Sequence, residues 1–198
     1  MPYLISIGDM KILFVCLGNI CRSAAAEAVM KKLVREQNLT PRFEIDSAGL
    51  INYHEGEPAD PRMRAHAARR GYVVDSISRP VRTTDFFDFD LIIGMDDLNI
   101  DELKHRAPDL VTEAKIHRMT DYSRNKLYDH VPDPYYSGAE GFELVLDLLE
   151  DACAGLRLFL VMQKQTTMLK GSLRLVGMQP MIRKTFDLTG FGVLFHME

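Results

Sequence analysis

The apolar run Lys11-Ile-Leu-Phe-Val-Cys16 passes directly into Leu17-Gly-Asn-Ile-Cys-Arg-Ser23 and then into residues 24–37, where Ala, Glu, Lys and Met dominate. No other stretch constrains the fold as much. A short apolar run without polar alternation suits a strand buried on both faces, and such a strand needs helices on each side of its sheet. Residues 24–37 supply one helix, with Ala28, Val29, Leu33 and Val34 along its apolar face. The connection between them leaves room only for a tight loop, in which Gly18 and Asn19 tolerate left-handed backbone.

The same alternation recurs downstream. Phe43-Glu-Ile-Asp-Ser47 reads as a second strand stopping at Ala48-Gly49, and a loop rich in Gly, Pro and Asp follows to about Asp60. Pro61 opens a helix that Gly71 closes. Asp90-Leu-Ile-Ile-Gly-Met95 reads as a buried strand leading into a helix to about Arg106, and Lys115-Ile-His-Arg-Met119 as a shorter strand. After the polar residues 120–138, a helix is expected over 140–162, where Phe142, Val145, Leu146, Leu149, Ala152 and Cys153 recur at helical spacing. Strands alternating with helices predict an α/β fold, a parallel sheet covered on both faces, with ligands beyond the carboxyl ends of its strands. The loop after the first strand is the natural site.

Charge and cysteine usage narrow the function. The net charge of −4 supplies no basic field for nucleic acid or an anionic membrane, so neither is expected as a partner. Three cysteines, Cys16, Cys21 and Cys153, are too few for a disulfide framework and fit a reducing compartment, the cytoplasm by default. The first ten residues lack the basic and apolar regions of an export signal, and no apolar run reaches the roughly 18 residues of a membrane span.

Chemistry concentrates in Cys16-Leu-Gly-Asn-Ile-Cys-Arg22-Ser23. A short loop entering a helix N-terminus turns backbone N–H groups inward as an anion nest. Together with Arg22, those donors would stabilise Cys16 as a thiolate. The Arg22 fork suits two phosphate oxygens, which Lys cannot match. A nucleotide P-loop is excluded because no Gly-Lys-Ser/Thr follows, and a zinc site because Cys16 and Cys21 lack a second ligand pair. Neither metal nor cofactor is expected.

Val15-Cys-Leu-Gly-Asn-Ile-Cys-Arg-Ser23, with Asp46-Ser-Ala-Gly49, the segment from Asp90 to Asp96, and Asp133-Pro-Tyr-Tyr136 before the last helix, resembles the low-molecular-weight protein tyrosine phosphatase family over about residues 11–162. The resemblance implies a flavodoxin-like sheet of four parallel strands and metal-free hydrolysis of phosphotyrosine through a phosphocysteine. By position, Cys16 resembles the nucleophile. The resemblance implies that Arg22 and the loop residues Leu17, Gly18, Asn19, Ile20 and Cys21 would bind phosphate, and that Ser23 would donate to the thiolate. By the same resemblance Asn19 and Ser47 would brace the loop, and Asp133 would serve as acid and then base. Tyr135 and Tyr136 would wall a slot deep enough for phosphotyrosine, with Tyr53 on its rim. Cys21 reads either as a small buried hydrophobe or as a redox partner of Cys16. Phosphotyrosine proteins are the implied substrates, and a bacterial tyrosine kinase an implied partner.

Two departures stand out. Ser76 lies about where animal members place a loop-bracing histidine, and Ala24 where proline is frequent. Thiol-dependent arsenate reduction is the competing enzymatic reading, disfavoured because no cysteine lies between Cys21 and Cys153. A catalytically weak anion-binding or sigma-regulatory interaction protein is the non-enzymatic one.

Residues 163–198 differ in composition, with five Lys and Arg against two acidic residues, so the acidity belongs to residues 1–162. A helix end near 170, a strand over 172–176 and a helix over 179–188 form the expected helix-strand-helix appendage. From Gly155-Leu-Arg-Leu158 through Gly171-Ser-Leu-Arg-Leu-Val176 to Leu188-Thr-Gly-Phe191, the chain resembles the second half of a STAS domain, the fold of anti-sigma-factor antagonists. The family's phosphorylatable serine is missing, since Cys153-Ala154 precedes the matching glycine. Half a domain leaves a strand edge unpaired, which would favour self-association through the tail.

Overall fold

The computed structural model describes the backbone of residues 10–168 and the side chains of residues 10–160. Its sheet has four strands, β1 (Met10–Cys16), β2 (Phe43–Gly49), β3 (Leu91–Gly94) and β4 (Ile116–Arg118), in the order β2-β1-β3-β4 with every pair parallel. This is the parallel α/β sheet that the residue pattern predicts, with the flavodoxin-like four strands that the family resemblance implies. The order reverses beside β1, with β2 on one side and β3 on the other, so the carboxyl end of β1 opens onto the crevice where ligands bind in such sheets.

Residues 12–15 of β1 are fully buried, as a strand covered on both faces must be. Leu13, Val15, Ala48, Ile92 and Ile116 share one face and pack with Phe86, Phe89, Ile100 and Leu103. Those last four come from α3 (Asp85–Asp88), the residue just after it, and α4 (Asp97–Arg106). Ile12 and Phe14 alternate to the other face, on the side of α1 (Arg22–Glu36). Small residues Ala24, Ala25, Ala26 and Ala28 line the buried side of α1, and Cys153 of α6 (Ala139–Met168) comes within 3.8 Å of the Ala26 carbonyl.

Three expectations are sharpened. The fourth strand is shorter than residues 115–119, because Met119 begins a 3-10 turn through Tyr122. The four-residue helices α3 and α5 (Leu110–Glu113) were not expected, being too short to display a helical period. The last helix is described to Met168, close to the helix end expected near residue 170. The backbone divides into the units Met1–Arg157 and Leu158–Glu198, so both that boundary and the expected one at residue 162 fall within α6. The strand expected over 172–176 and the helix over 179–188 lie outside the described residues. No helix among the described residues is long and apolar enough to cross a membrane.

Candidate active site

The loop between β1 and α1 is shaped by where its carbonyls go. Cys16 O accepts from Leu50 N at 3.0 Å, Leu17 O from Ile51 N at 3.0 Å, and Ile20 O from Asp60 N at 2.8 Å. Gly18 O accepts from the Ser78 hydroxyl at 3.1 Å, and Cys21 O from Ala25 N at 2.9 Å. Among the described residues no protein group accepts from the amides of residues 17–21. With the carbonyls tied outward and Asn19 at φ 57°, those amides are left to the concave side of the loop, the arrangement of an anion nest. The α1 N-terminus has no side-chain cap, so its first-turn amides add to the same field. Gly49 makes the tight approach possible, because a Cβ there would lie 3.1 Å from the Gly18 carbonyl carbon and the Leu17 oxygen.

A buried chain of hydrogen bonds fixes the sulfur's surroundings. Asn19 Nδ2 donates to Ser23 Oγ at 3.0 Å and to Ser47 Oγ at 2.8 Å, while its Oδ1 accepts from Arg79 N at 3.0 Å. Each serine therefore spends an acceptor on Asn19 and keeps its single proton for another partner. Ser47 donates to Glu27 Oε2 at 2.5 Å, and Ser23 lies 3.0 Å from Cys16 Sγ, so its proton is directed at sulfur. Glu27, itself buried, also pairs with Lys31, which leaves no uncompensated charge beneath the loop. Ser76 is not part of this chain, and its hydroxyl has no partner.

Arg22, only 3% exposed, binds carboxylates on two segments. Its Nη1 pairs with Asp96 and donates to Val131 O at 3.2 Å; its Nη2 donates to Asp133 Oδ2 at 2.6 Å. Burial opposes the charge on the guanidinium, but the negative charge of the Cys16 sulfur, Asp133 and Asp96 outweighs it and holds the group above its usual range. Asp96 stands just past β3 and caps α4 by accepting from Asn99 N at 2.8 Å, which fixes the carboxylate that orients Arg22. Val131 N donates to Met95 O at 2.8 Å, so the segment carrying Asp133 is moored to the end of the same strand.

The expected site residues sort clearly. Cys16, Asn19, Ser23 and Ser47 form one network, and Arg22 and Asp133 form an ion pair. Tyr135 and Tyr136 meet edge to face at 5.0 Å, with Tyr136 almost fully exposed. Tyr53 is exposed and packs edge-on against His54, whose ring covers Gly18. Leu17 is exposed while Ile20 and Cys21 are buried. Burial pushes the Cys21 thiol far above its ordinary range, and Cys16 and Cys21 are both free. Sequence reading missed Glu27 and Asp96. Asp96 was visible at a strand's carboxyl end, whereas nothing local distinguishes Glu27 from a solvated helix residue.

The sequence model of the family described as "Low molecular weight phosphotyrosine protein phosphatase" matches residues 11–167. A low molecular weight protein-tyrosine-phosphatase of Streptomyces coelicolor is 40% identical over 148 residues, 74% of this chain and 90% of the relative. The low molecular weight phosphotyrosine protein phosphatase of Homo sapiens is 38% identical over 143 residues, 72% of this chain and 90% of its own. A crystal structure of protein tyrosine phosphatase from Entamoeba histolytica superposes with a TM-score of 0.77 at 52% identity, covering 79% of this chain and 99% of that one.

Proposed function

Since the chain belongs to the low molecular weight phosphotyrosine protein phosphatase family and is by that membership a protein-tyrosine-phosphatase, we propose that Cys16, Arg22 and Asp133 carry its chemistry through a phosphocysteine. In the first step the Cys16 sulfur attacks phosphorus as the bond to the aryl oxygen breaks, and the Asp133 carboxyl gives its proton to that oxygen. In the second step water attacks phosphorus and Asp133 takes the water's proton. The S–P bond then breaks, and the leaving thiolate is stabilised by the Ser23 hydroxyl. Loop amides and the Arg22 fork bind the three non-bridging oxygens in both transition states, where phosphoryl transfer depends on positioning and charge stabilisation.

The observation that carries this reading is the meeting of Arg22 and Asp133 at 2.6 Å above a loop whose amides have no protein acceptor among the described residues. An entering phosphate competes with Asp133 for the Arg22 fork, which frees the carboxyl to face the leaving oxygen. Phosphotyrosine is the favoured substrate, because the exposed aromatic pair Tyr135–Tyr136 follows the acid closely in the chain and can pack against a phenol ring. Leu17 through Cys21 serve as the phosphate cradle, Ser47 as its brace, and Tyr53 as rim.

A bacterial tyrosine kinase is the partner the family resemblance favours, and three free cysteines suit the cytoplasm. Residues 163–198 are read as a STAS-like appendage outside the catalytic machinery. Hydrolysis of p-nitrophenyl phosphate by wild type, Cys16→Ser and Asp133→Ala tests the assignment. Cys16→Ser is expected to lose turnover entirely, and Asp133→Ala to lose kcat far more than affinity for inorganic phosphate. Persistent turnover in Cys16→Ser would remove Cys16 from its role.

A further inference from the structure

We propose that Arg62 is a positioning residue for the reaction, holding the acid segment in register with the phosphate loop. This rests on the reading of Asp133 as the acid. Arg62 is the second residue of α2 (Pro61–Arg69), whose N-terminus is capped by the buried carboxylate of Asp60. Asp60 is fixed to the phosphate loop, because its amide donates to Ile20 O at 2.8 Å. The guanidinium binds that carboxylate with two nitrogens, Nε to Oδ1 at 3.1 Å and Nη2 to Oδ2 at 2.8 Å. The remaining nitrogen, Nη1, donates to Tyr135 O at 3.0 Å.

Tyr135 in turn holds the acid, its amide donating to Asp133 Oδ1 at 3.1 Å while Arg22 takes Oδ2 at 2.6 Å. The contacts close a circuit: phosphate loop, Asp60, Arg62, Tyr135, Asp133, Arg22 and phosphate loop again. Packing reinforces it, since the guanidinium carbon lies 5.2 Å from the Tyr135 ring centroid and 5.0 Å from that of Phe142, a fully buried residue of α6. Each of the three guanidinium nitrogens is used, two on one segment and one on the other. Lysine, with a point charge and no fork, can serve Asp60 or Tyr135 but not both. Arg62 touches neither Cys16 nor the reacting atoms, so its contribution is the placement of Asp133 over the leaving oxygen.

The test exploits leaving-group chemistry. Phenyl phosphate needs a proton on its departing oxygen, whereas 2,4-dinitrophenolate leaves without one. In Arg62→Ala and Arg62→Lys, kcat/KM for phenyl phosphate is expected to fall ~10-fold or more, as a displaced catalytic group costs. For 2,4-dinitrophenyl phosphate and for the inhibition constant of inorganic phosphate, wild-type values are expected. In an Asp133→Asn background, Arg62→Ala should cost nothing further on either substrate. Equal losses on both substrates, no loss on either, or an additive loss in the double mutant would overturn the proposal, with thermal melts reporting the folded fraction of each variant. If Asp133→Asn alone fails to discriminate the two leaving groups, the acid assignment itself falls, whatever Arg62 does.

Discussion

Replacing Ser23 with alanine removes a single hydrogen bond whose polarity the structure fixes. Ser23 Oγ accepts from Asn19 Nδ2 at 3.0 Å and lies 3.0 Å from Cys16 Sγ, so its proton has one destination. The two chemical steps respond differently to its loss. As nucleophile, sulfur is no longer engaged by the donor and keeps its reactivity, and cleavage of the aryl bond is little affected. As leaving group, it departs as a thiolate stripped of stabilisation. A hydrogen bond to a charged partner contributes about 1.5–3 kcal/mol, which slows phosphocysteine hydrolysis ~10- to 150-fold. Asn19 keeps its donation to Ser47 at 2.8 Å, so the loop should hold and stability should fall by only about 1 kcal/mol. Stopped-flow release of p-nitrophenol reads both steps. A burst approaching one equivalent per enzyme is expected, followed by slow turnover, with kcat and KM falling together and kcat/KM close to wild type. A variant whose kcat/KM falls as far as its kcat, with no burst, would refute the division of labour assigned to Ser23.

Two further outcomes follow from other parts of the molecule. Hydrogen bonds from His66, then Arg70, push the Glu143 carboxyl down from 4.5 to about 2. A depressed carboxylate contributes stability above its unfolded value and loses it as pH falls through the folded one. The gap in urea midpoint between wild type and Glu143→Gln should therefore be complete above about pH 4.5 and close toward pH 2; a gap independent of pH would contradict this. It should also be modest, because Glu143 is part-exposed and screened by solvent. Removing residues 169–198 should leave kcat/KM for p-nitrophenyl phosphate within about twofold of the full chain, and a collapse of activity in a variant that still melts cooperatively would make the tail part of the mechanism.

What the sequence reveals and what it hides follow from sequence distance. The nucleophile, the loop and the helix start at Arg22 are read from a dozen consecutive residues, because apolar run, turn residues and helix formers each act locally. Asp133 is legible only through its motif, since Asp-Pro by itself signals a turn. Glu27 and Arg62 reach Ser47 and Tyr135 across 20 and 73 positions, and nothing in their own neighbourhoods marks them, whereas Asp96, 74 positions from Arg22, is marked only by its place past a strand's carboxyl end. Helices α3 and α5 escape for the opposite reason, four residues being fewer than the two turns that reveal a period. The end of α6 at Met168 is legible, because Gln163 to Met168 continue with good helix formers up to the turn expected at Gly171.

The anchoring of five of the six carbonyls from Cys16 to Cys21 bears on what the enzyme must endure between turnovers. A cradle assembled before its ligand arrives spends nothing on ordering at the moment of binding. The same readiness extends to the product, because inorganic phosphate offers the cradle the tetrahedral oxygens of the substrate and lacks only the phenol. Preference for substrate over product cannot come from the loop. On the proposed assignment it falls to the aromatic rim, for which Tyr53, Tyr135 and Tyr136 stand exposed. Surrounding phosphate thus becomes a standing competitor that every phosphoprotein must displace, and the rim determines how well each one succeeds.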